Sequence, residues 1–272
     1  MPKIEDKKEV KNNLPVRESA QTGNSLIEDM FRAGAHFGYG KTRRHPSFKP
    51  IIFGAKKAVD ILDLEKTGSY LAKALEFVTE FAKSGKTFLL VGTKHEARKA
   101  VEEAARATKL PFVTKRWIGG TLTNFPEIKK RIARYTDLRE QKEGGKLDVY
   151  TKKERLLIDR EIDRLEMFFG GIVHMEKVPD VLFVVDPRHE KTAVREALQE
   201  SVPIIALAGS DCDITNIARP IPANDSSMSS IIFFVDKFVK AYQEGVKSQE
   251  QKITSTQEHE STRVQEHENT KT

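Results

Sequence analysis

The sequence contains one cysteine, Cys212, and one tryptophan, Trp117, among 272 residues. A single cysteine excludes an internal disulfide and a zinc site built on cysteine pairs. No apolar run approaches the roughly 18–20 residues needed to span a bilayer. The opening stretch MPKIEDKKEVKNN mixes both signs of charge without an apolar segment, so no signal peptide is expected and the cytoplasm is the expected compartment. Neither G-x-G-x-x-G nor G-x-x-x-x-G-K-[ST] follows any strand-like run, which leaves out the usual phosphate-cradling loops. The serines lack a G-x-S-x-G context, and the scattered His36, His95, His174 and His189 form no H-E-x-x-H. What is abundant is charge: 46 Lys and Arg face 40 Asp and Glu, giving a net charge of +6. That excess favours a polyanionic partner without identifying one.

Between two polar ends, strand and helix patterns alternate. Leu26 to Phe37 reads as a short amphipathic helix ending near Gly34 to Gly38. A basic loop, GKTRRHPSFKP, follows, and then two β-like runs, Ile51–Phe53 and Ala58–Leu62, split by the turn GAKK. Asp63 to Lys83 carries apolar residues at helical spacing. TFLLVG (87–92) has the composition of a buried parallel strand, and Thr93-Lys-His-Glu96 after it reads as a capping box opening a helix to about Ala107. Pro111 to Val113 begins another strand. The pattern returns as VLFVVD (181–186), a helix from about Pro187 to Gln199 with Asp186 at its start, and PIIALA (203–208). A last helix from about Ser227 to Tyr242 has an apolar stripe. Alternation of this kind implies an α/β fold, a Rossmann-like doubly wound parallel sheet.

The segment 126–169 departs from that rhythm. Ile128, Ile132, Tyr135 and Leu138 fall on one side of a first helix, Gly144 and Gly145 interrupt it, and Thr151-Lys-Lys-Glu154 forms a capping box. Ile158, Ile162, Leu165 and Phe169 then resume the stripe. A narrow apolar seam between faces dense in both charges predicts an inserted, protruding α-helical coiled-coil hairpin. Two ordinary surface helices packed on the sheet are the alternative, which the narrow stripe disfavours. The expected organisation is therefore a disordered extension over 1–23, an α/β core over 24–125 and 170–244, the hairpin over 126–169, and a disordered polar tail over 245–272 that repeats QEHE.

The loops after the strands offer an enzyme reading. Thr93, Lys94, Asp186 and Ser210 could serve a phosphosugar-binding site, but helix capping accounts for Thr93 and Asp186 without a ligand. Asp211 and Asp213 beside Cys212 give only a weak metal signal. Binding to RNA has more support. Lys41, Arg43, Arg44, His45, Lys49, Lys56 and Lys57 fall between 41 and 57 with no acidic residue among them, as spaced phosphate contacts require. His45 and Phe48 are flat groups able to stack on an unpaired base. In TKRWIGGTLTNF (114–125), Lys115 and Arg116 flank Trp117, which is read first as an anchor for the hairpin base and second as a stacking group.

Several of these stretches together resemble the protein-two family of the bacterial small ribosomal subunit. The matching residues are AGAHFGYGKTRRHPSFKPIIFG (33–54), VDILDLEKT (59–67), FLLVGTKHEA (88–97), RWIGGTLTNF (116–125), TKKE (151–154), FGGI (169–172), PDVLFVVD (179–186) and IPANDSSMSSI (221–231), in the family's order across 25–242. The resemblance implies a Rossmann-like core without nucleotide chemistry, a protruding coiled-coil hairpin, binding to small-subunit ribosomal RNA at the head–body boundary, and late assembly. It also implies neighbouring small-subunit proteins, among them the messenger-binding protein one, with no membrane and no small-molecule substrate. Tyr39 stands where the family usually has a second histidine after H-F-G, and Arg44-His45-Pro46-Ser47-Phe48 stands where W-N-P-K-M is common. Some members bind zinc. For this chain no cofactor is expected, and zinc is implied by the resemblance alone. A structural, non-catalytic ribosomal protein is thus expected, with Arg43, Arg44, His45, Lys49, Lys56, Lys94, Lys115, Arg116 and Trp117 as RNA contacts. A scaffold acting through the hairpin is the remaining rival.

Overall fold

Three apolar runs become interior strands because both of their faces are covered. In the computed structural model, which describes residues 18–269, every residue of β4 (Phe88–Val91), β6 (Val181–Val185) and β7 (Ile204–Ala208) is buried. With β5 (Phe112–Val113) and β8 (Arg219–Pro222) they form a five-stranded parallel sheet in the order β5-β4-β6-β7-β8. The registers pair Leu90 with Phe112, Val91 with Val184, Val185 with Leu207 and Ala208 with Pro222.

Period-two alternation sends the strand side chains to two separate cores. On one face Phe88, Leu90, Phe183, Val185, Ile205 and Leu207 meet α2 (Leu64–Lys83), α3 (His95–Thr108) and α7 (Met228–Asn269), through residues such as Leu71, Val101, Phe234 and Phe238. On the other, Leu89, Val91, Leu182, Val184, Ile204 and Ala206 meet Trp117, α4 (Phe125–Glu143), the end of α5 (Lys152–Phe169), and Ala193 and Ala197 of α6 (Lys191–Gln199). Helices on both faces of a parallel sheet give the α/β, Rossmann-like fold expected from the alternation. β5 lies on one side of β4 and β6 on the other, so a crevice opens at the carboxyl ends of β4 and β6, the usual ligand position of such sheets.

A second, antiparallel sheet covers that end. Its strands are β1 (Phe37–Gly40), β2 (Ile52–Lys56) and β3 (Val59–Leu62), in the order β1-β3-β2. The Tyr39 amide donates to Ser210 Oγ at 2.8 Å, and the His45 amide donates to the Ser210 carbonyl at 2.9 Å. A small core of Phe48, Ile51, Leu62, Ala208 and Cys212 seals the junction.

Several expectations need correction. Helix α1 spans Glu18–Arg32 and not Leu26 to Phe37; Gly34, at φ +74°, turns the chain into β1. Residues 18–23 therefore belong to a helix, while 1–17 lie outside the described residues. Helix α7 continues to Asn269 through 245–269, where a disordered tail was expected. That stretch is free of proline and rich in Gln and Glu, which favour helix. At the boundary Gly245 lies so close to α2 that a Cβ there would come within 2.6 Å of Ala82 Cβ and 2.7 Å of the Thr79 carbonyl. α6 starts at Lys191, four residues later than expected. Asp186 instead takes φ +63° and accepts the His189 amide at 2.9 Å, holding a turn. β8 was not anticipated: its RPIP sequence contains two prolines, which a strand tolerates at a sheet edge.

Candidate nucleic-acid interface

The crevice at the carboxyl ends of the strands is occupied by the chain's own charges. Lys94, just past β4, donates through Nζ to Asp186 Oδ2 at 3.0 Å and to Tyr39 Oη at 3.2 Å, with Asp225 Oδ1 at 3.7 Å. Burial works against the ammonium charge, but Asp225 and Asp186 outweigh it and hold Lys94 above the ordinary lysine range. Burial, followed by the neighbouring Asp186, pushes Asp225 up to about 6. Gly209 is required here, since a Cβ would fall 2.6 Å from Asp225 Oδ1. Lys94, expected as an RNA contact, is thus drawn into an internal network with Asp186, Asp225 and Tyr39. The capping box predicted at Thr93 is also absent. The Thr93 amide donates to Glu190 Oε1 at 2.8 Å, its hydroxyl bonds to the same oxygen, and no side chain caps α3.

The two arginines of the basic loop have different roles. Arg44 forms a fork on the fully buried Asp60, through Nε to Oδ2 at 2.7 Å and through Nη2 to Oδ1, and so locks the loop to β3. Arg43 lies over the Tyr39 ring at 4.6 Å and donates through Nη2 to Asp211 Oδ2 at 3.1 Å. It remains 56% exposed. His45 Nδ1 lies 2.8 Å from Ser47 Oγ and accepts from the Ser47 amide, so it caps the turn that follows. Phe48 is fully buried in the junction core and cannot stack on a base.

The motif around Trp117 is built for packing. Trp117 is buried, and its Nε1 donates to Glu196 Oε1 at 3.0 Å. The Gly120 amide donates to the same oxygen at 2.9 Å, and the Leu122 amide donates to Oε2 at 3.0 Å. One buried carboxylate on α6 therefore organises the whole IGGTLT loop, and Trp117, expected as an RNA contact, packs in the core at the base of α4. Glu196 was missed from the sequence, although a visible signal existed: it shares the helical face of Ala193 and Ala197, where an acid needs a buried partner.

Lys49, Lys56, Lys115 and Arg116 remain exposed, and among the described residues none of them has an ion-pair partner. Arg188, also unanticipated, donates through Nη1 to Asp211 Oδ2 at 2.7 Å, beside Arg43.

The cluster of possible ligands found among the described residues does not fit zinc. Asp186, Cys212 and Asp225 place one ligand atom each within 4.8 Å of one another, but the Lys94 ammonium already supplies the positive charge there. Burial and then the two carboxylates push the Cys212 thiol up, away from the thiolate that zinc requires. Asp211 is committed to two arginines, and Asp213 accepts from Thr215 Oγ1 at 2.7 Å.

Fold and site together define a Rossmann-like protein whose ligand crevice is filled by its own side chains and whose unpaired cations lie on its surface. The model of the family "Ribosomal protein S2" matches residues 30–245, and the chain belongs to that family. It is 41% identical over 227 residues to the small ribosomal subunit protein uS2 of Nitratiruptor sp., covering 84% of this chain and 85% of the relative. The uS2 of Sulfurimonas denitrificans is 42% identical over 219 residues, 80% of this chain and 85% of the relative. That of Chloroflexus aggregans is 41% identical over 225 residues, 82% and 94% of the respective lengths.

Proposed function

We infer that this chain is a structural constituent of the bacterial small ribosomal subunit, binding small-subunit ribosomal RNA in the cytoplasm and catalysing nothing. The observation that carries this reading is the division of its cations. Lys94 and Arg44 are neutralised inside the fold, whereas Lys49, Lys56, Lys115 and Arg116 extend into solvent, where phosphates can replace counterions. Family membership supports the same assignment. The crevice that would hold a substrate is blocked by Tyr39 and Lys94, which argues against the phosphosugar-enzyme alternative.

Helices α4 and α5 form the proposed protruding coiled-coil hairpin, which braces RNA or a neighbouring small-subunit protein, including the messenger-binding protein one. Near the core, Phe125, Ile128, Ile132 and Phe169 pack on the sheet. Farther out, Tyr135, Leu138 and Ile162 form their own small cluster, and Arg134–Glu161 and Lys142–Asp159 pair across the two helices. Val149 beyond them is 92% exposed.

Sedimentation of tagged protein through a sucrose gradient tests the reading. The protein should travel with small subunits at physiological salt. Joint replacement Lys49→Gln, Lys56→Gln, Lys115→Gln and Arg116→Gln should shift it toward free fractions without unfolding it. Absence of the wild-type protein from small-subunit fractions would overturn the assignment.

A further inference from the structure

Beside the blocked crevice, a second depression of about 610 Å³ opens between the basic loop and α6. Its cationic wall comprises Arg43, Arg44, Arg188, Lys191 and Arg195, against two carboxylates, Asp211 and Asp213. Asp211 is almost completely buried, and a single oxygen of it accepts from both Arg43 and Arg188. The shared carboxylate holds two guanidinium groups side by side, and each keeps more than half of its side chain in solvent, 56% and 53%. Arginines pre-positioned in this way lose less entropy on docking, and their remaining N–H groups form a fork for phosphate oxygens. Lys191 and Arg195 stand one turn apart on the exposed side of α6 and, among the described residues, have no ion-pair partner. The first turn of α6, which has no side-chain cap, opens at the same place. Between the cations, Pro187, Val194, Leu198 and Ile217 provide an apolar floor.

A cationic rim over an apolar floor matches a particular chemistry. Duplex RNA presents phosphate and ribose but keeps its bases stacked, so it would leave the floor unused. An unpaired nucleotide presents a phosphodiester and an apolar base face together. We propose that this depression seats a single-stranded ribose-phosphate segment of ribosomal RNA, with phosphates on Arg43, Arg188, Lys191 and Arg195 and a base or ribose over Val194, Leu198 and Ile217. The inference rests on the RNA-binding reading above and adds three residues, Arg188, Lys191 and Arg195, that the sequence analysis did not include.

The test uses the full chain and a small-subunit ribosomal RNA transcript, with affinity measured across a salt series. The variant Lys191→Gln/Arg195→Gln touches only exposed side chains and leaves Asp211 with both of its arginines. It should weaken binding by about tenfold and flatten the log–log salt slope by about 1.4, at roughly 0.7 per lost single-strand phosphate contact. The charge-preserving variant Lys191→Arg/Arg195→Lys should retain wild-type affinity and slope. Leu198→Ser should weaken binding without changing the slope. If the wild type binds with a steep slope but Lys191→Gln/Arg195→Gln is unchanged, the depression is not an RNA site and the general reading survives. If the wild type shows no salt-dependent binding, the general reading fails first. Displacement of the transcript by micromolar inorganic phosphate or a nucleoside monophosphate would identify a small-molecule pocket instead and overturn the proposal.

Discussion

Replacing Glu196 should unfold more of this protein than any surface charge change. Its carboxylate accepts from Trp117 Nε1, Gly120 and Leu122 at 2.9–3.0 Å, with longer contacts from Thr123. A hydrogen bond to a charged group contributes about 1.5–3 kcal/mol, and a buried donor left unpaired costs about 1–3 kcal/mol. Gly120 is half-buried and Thr123 is exposed, so water can satisfy them after substitution. The Trp117 and Leu122 donors are enclosed and decide the magnitude. Glu196→Ala should therefore destabilise the fold by about 3–5 kcal/mol, a large share of the roughly 5–15 kcal/mol that holds a typical domain. Glu196→Gln keeps the volume and one acceptor oxygen but turns an NH2 toward the remaining donors, and should cost about 1.5–3 kcal/mol. Urea unfolding followed by tryptophan emission reads this directly, because Trp117 is the chain's only tryptophan and sits on the altered bond. If both variants stay within about 0.5 kcal/mol of wild type, the range of ordinary surface changes, then Glu196 does not organise this loop.

Three further perturbations follow from the same structure. Phe238 is buried between Phe183 at 4.5 Å and Phe88 at 5.7 Å, so Phe238→Ala should cost about 3–5 kcal/mol in urea unfolding, and a cost under 1 kcal/mol would show that this core collapses around the gap. Asp225 titrates at about 6 in the fold and in the ordinary carboxylate range when unfolded, so its contribution is greatest below about pH 4 and is lost as pH rises toward 6. The fall in urea midpoint between pH 4 and 6 should accordingly be smaller in Asp225→Asn, and identical slopes would show that Asp225 does not carry it. Arg44→Gln leaves Asp60 buried without its fork and should lower the thermal midpoint, whereas Lys56→Gln should leave that midpoint unchanged and act only on RNA affinity.

Much of the fold was legible because its physics is local. VLFVV and IIALA are apolar at every position, as strands covered on both faces must be, and the helices between them carry the 3.6-residue period. β1 was hidden because its four residues, FGYG, include two glycines and offer no alternation to read. β8 was hidden because a proline-rich strand is permitted only by its place at the edge, which the sequence does not state. The ends of the chain misled for a related reason: polar composition alone does not separate a solvated coil from the polar extension of a helix such as α7.

The interface was harder to read than the fold, and the reason is electrostatic. A run of cations without acids in sequence is not one in space. Arg44 finds Asp60 sixteen residues away, Arg43 finds Asp211 across the molecule, and Lys94 finds Asp186 and Asp225. Each acid lies in a strand or in the loop that ends one, so the sheet, not the local sequence, decides which charges are cancelled. Asp60 did carry a trace of its role, since alternation in β3 puts it on the buried side with Leu62. The partition also accounts for the loss of ligand chemistry at the switch point. A Rossmann-like crevice binds a phosphate with free amides and an unspent cation, and here Lys94 is spent on two carboxylates while Tyr39 closes the entrance. What such a fold retains for a partner is the charge left on its periphery, at Lys49, Lys56, Lys115 and Arg116 and along the rim formed by Arg43, Arg188, Lys191 and Arg195. Cations spread from Lys49 and Lys56 through Lys115 and Arg116 to this rim suit a polymer that meets them in succession.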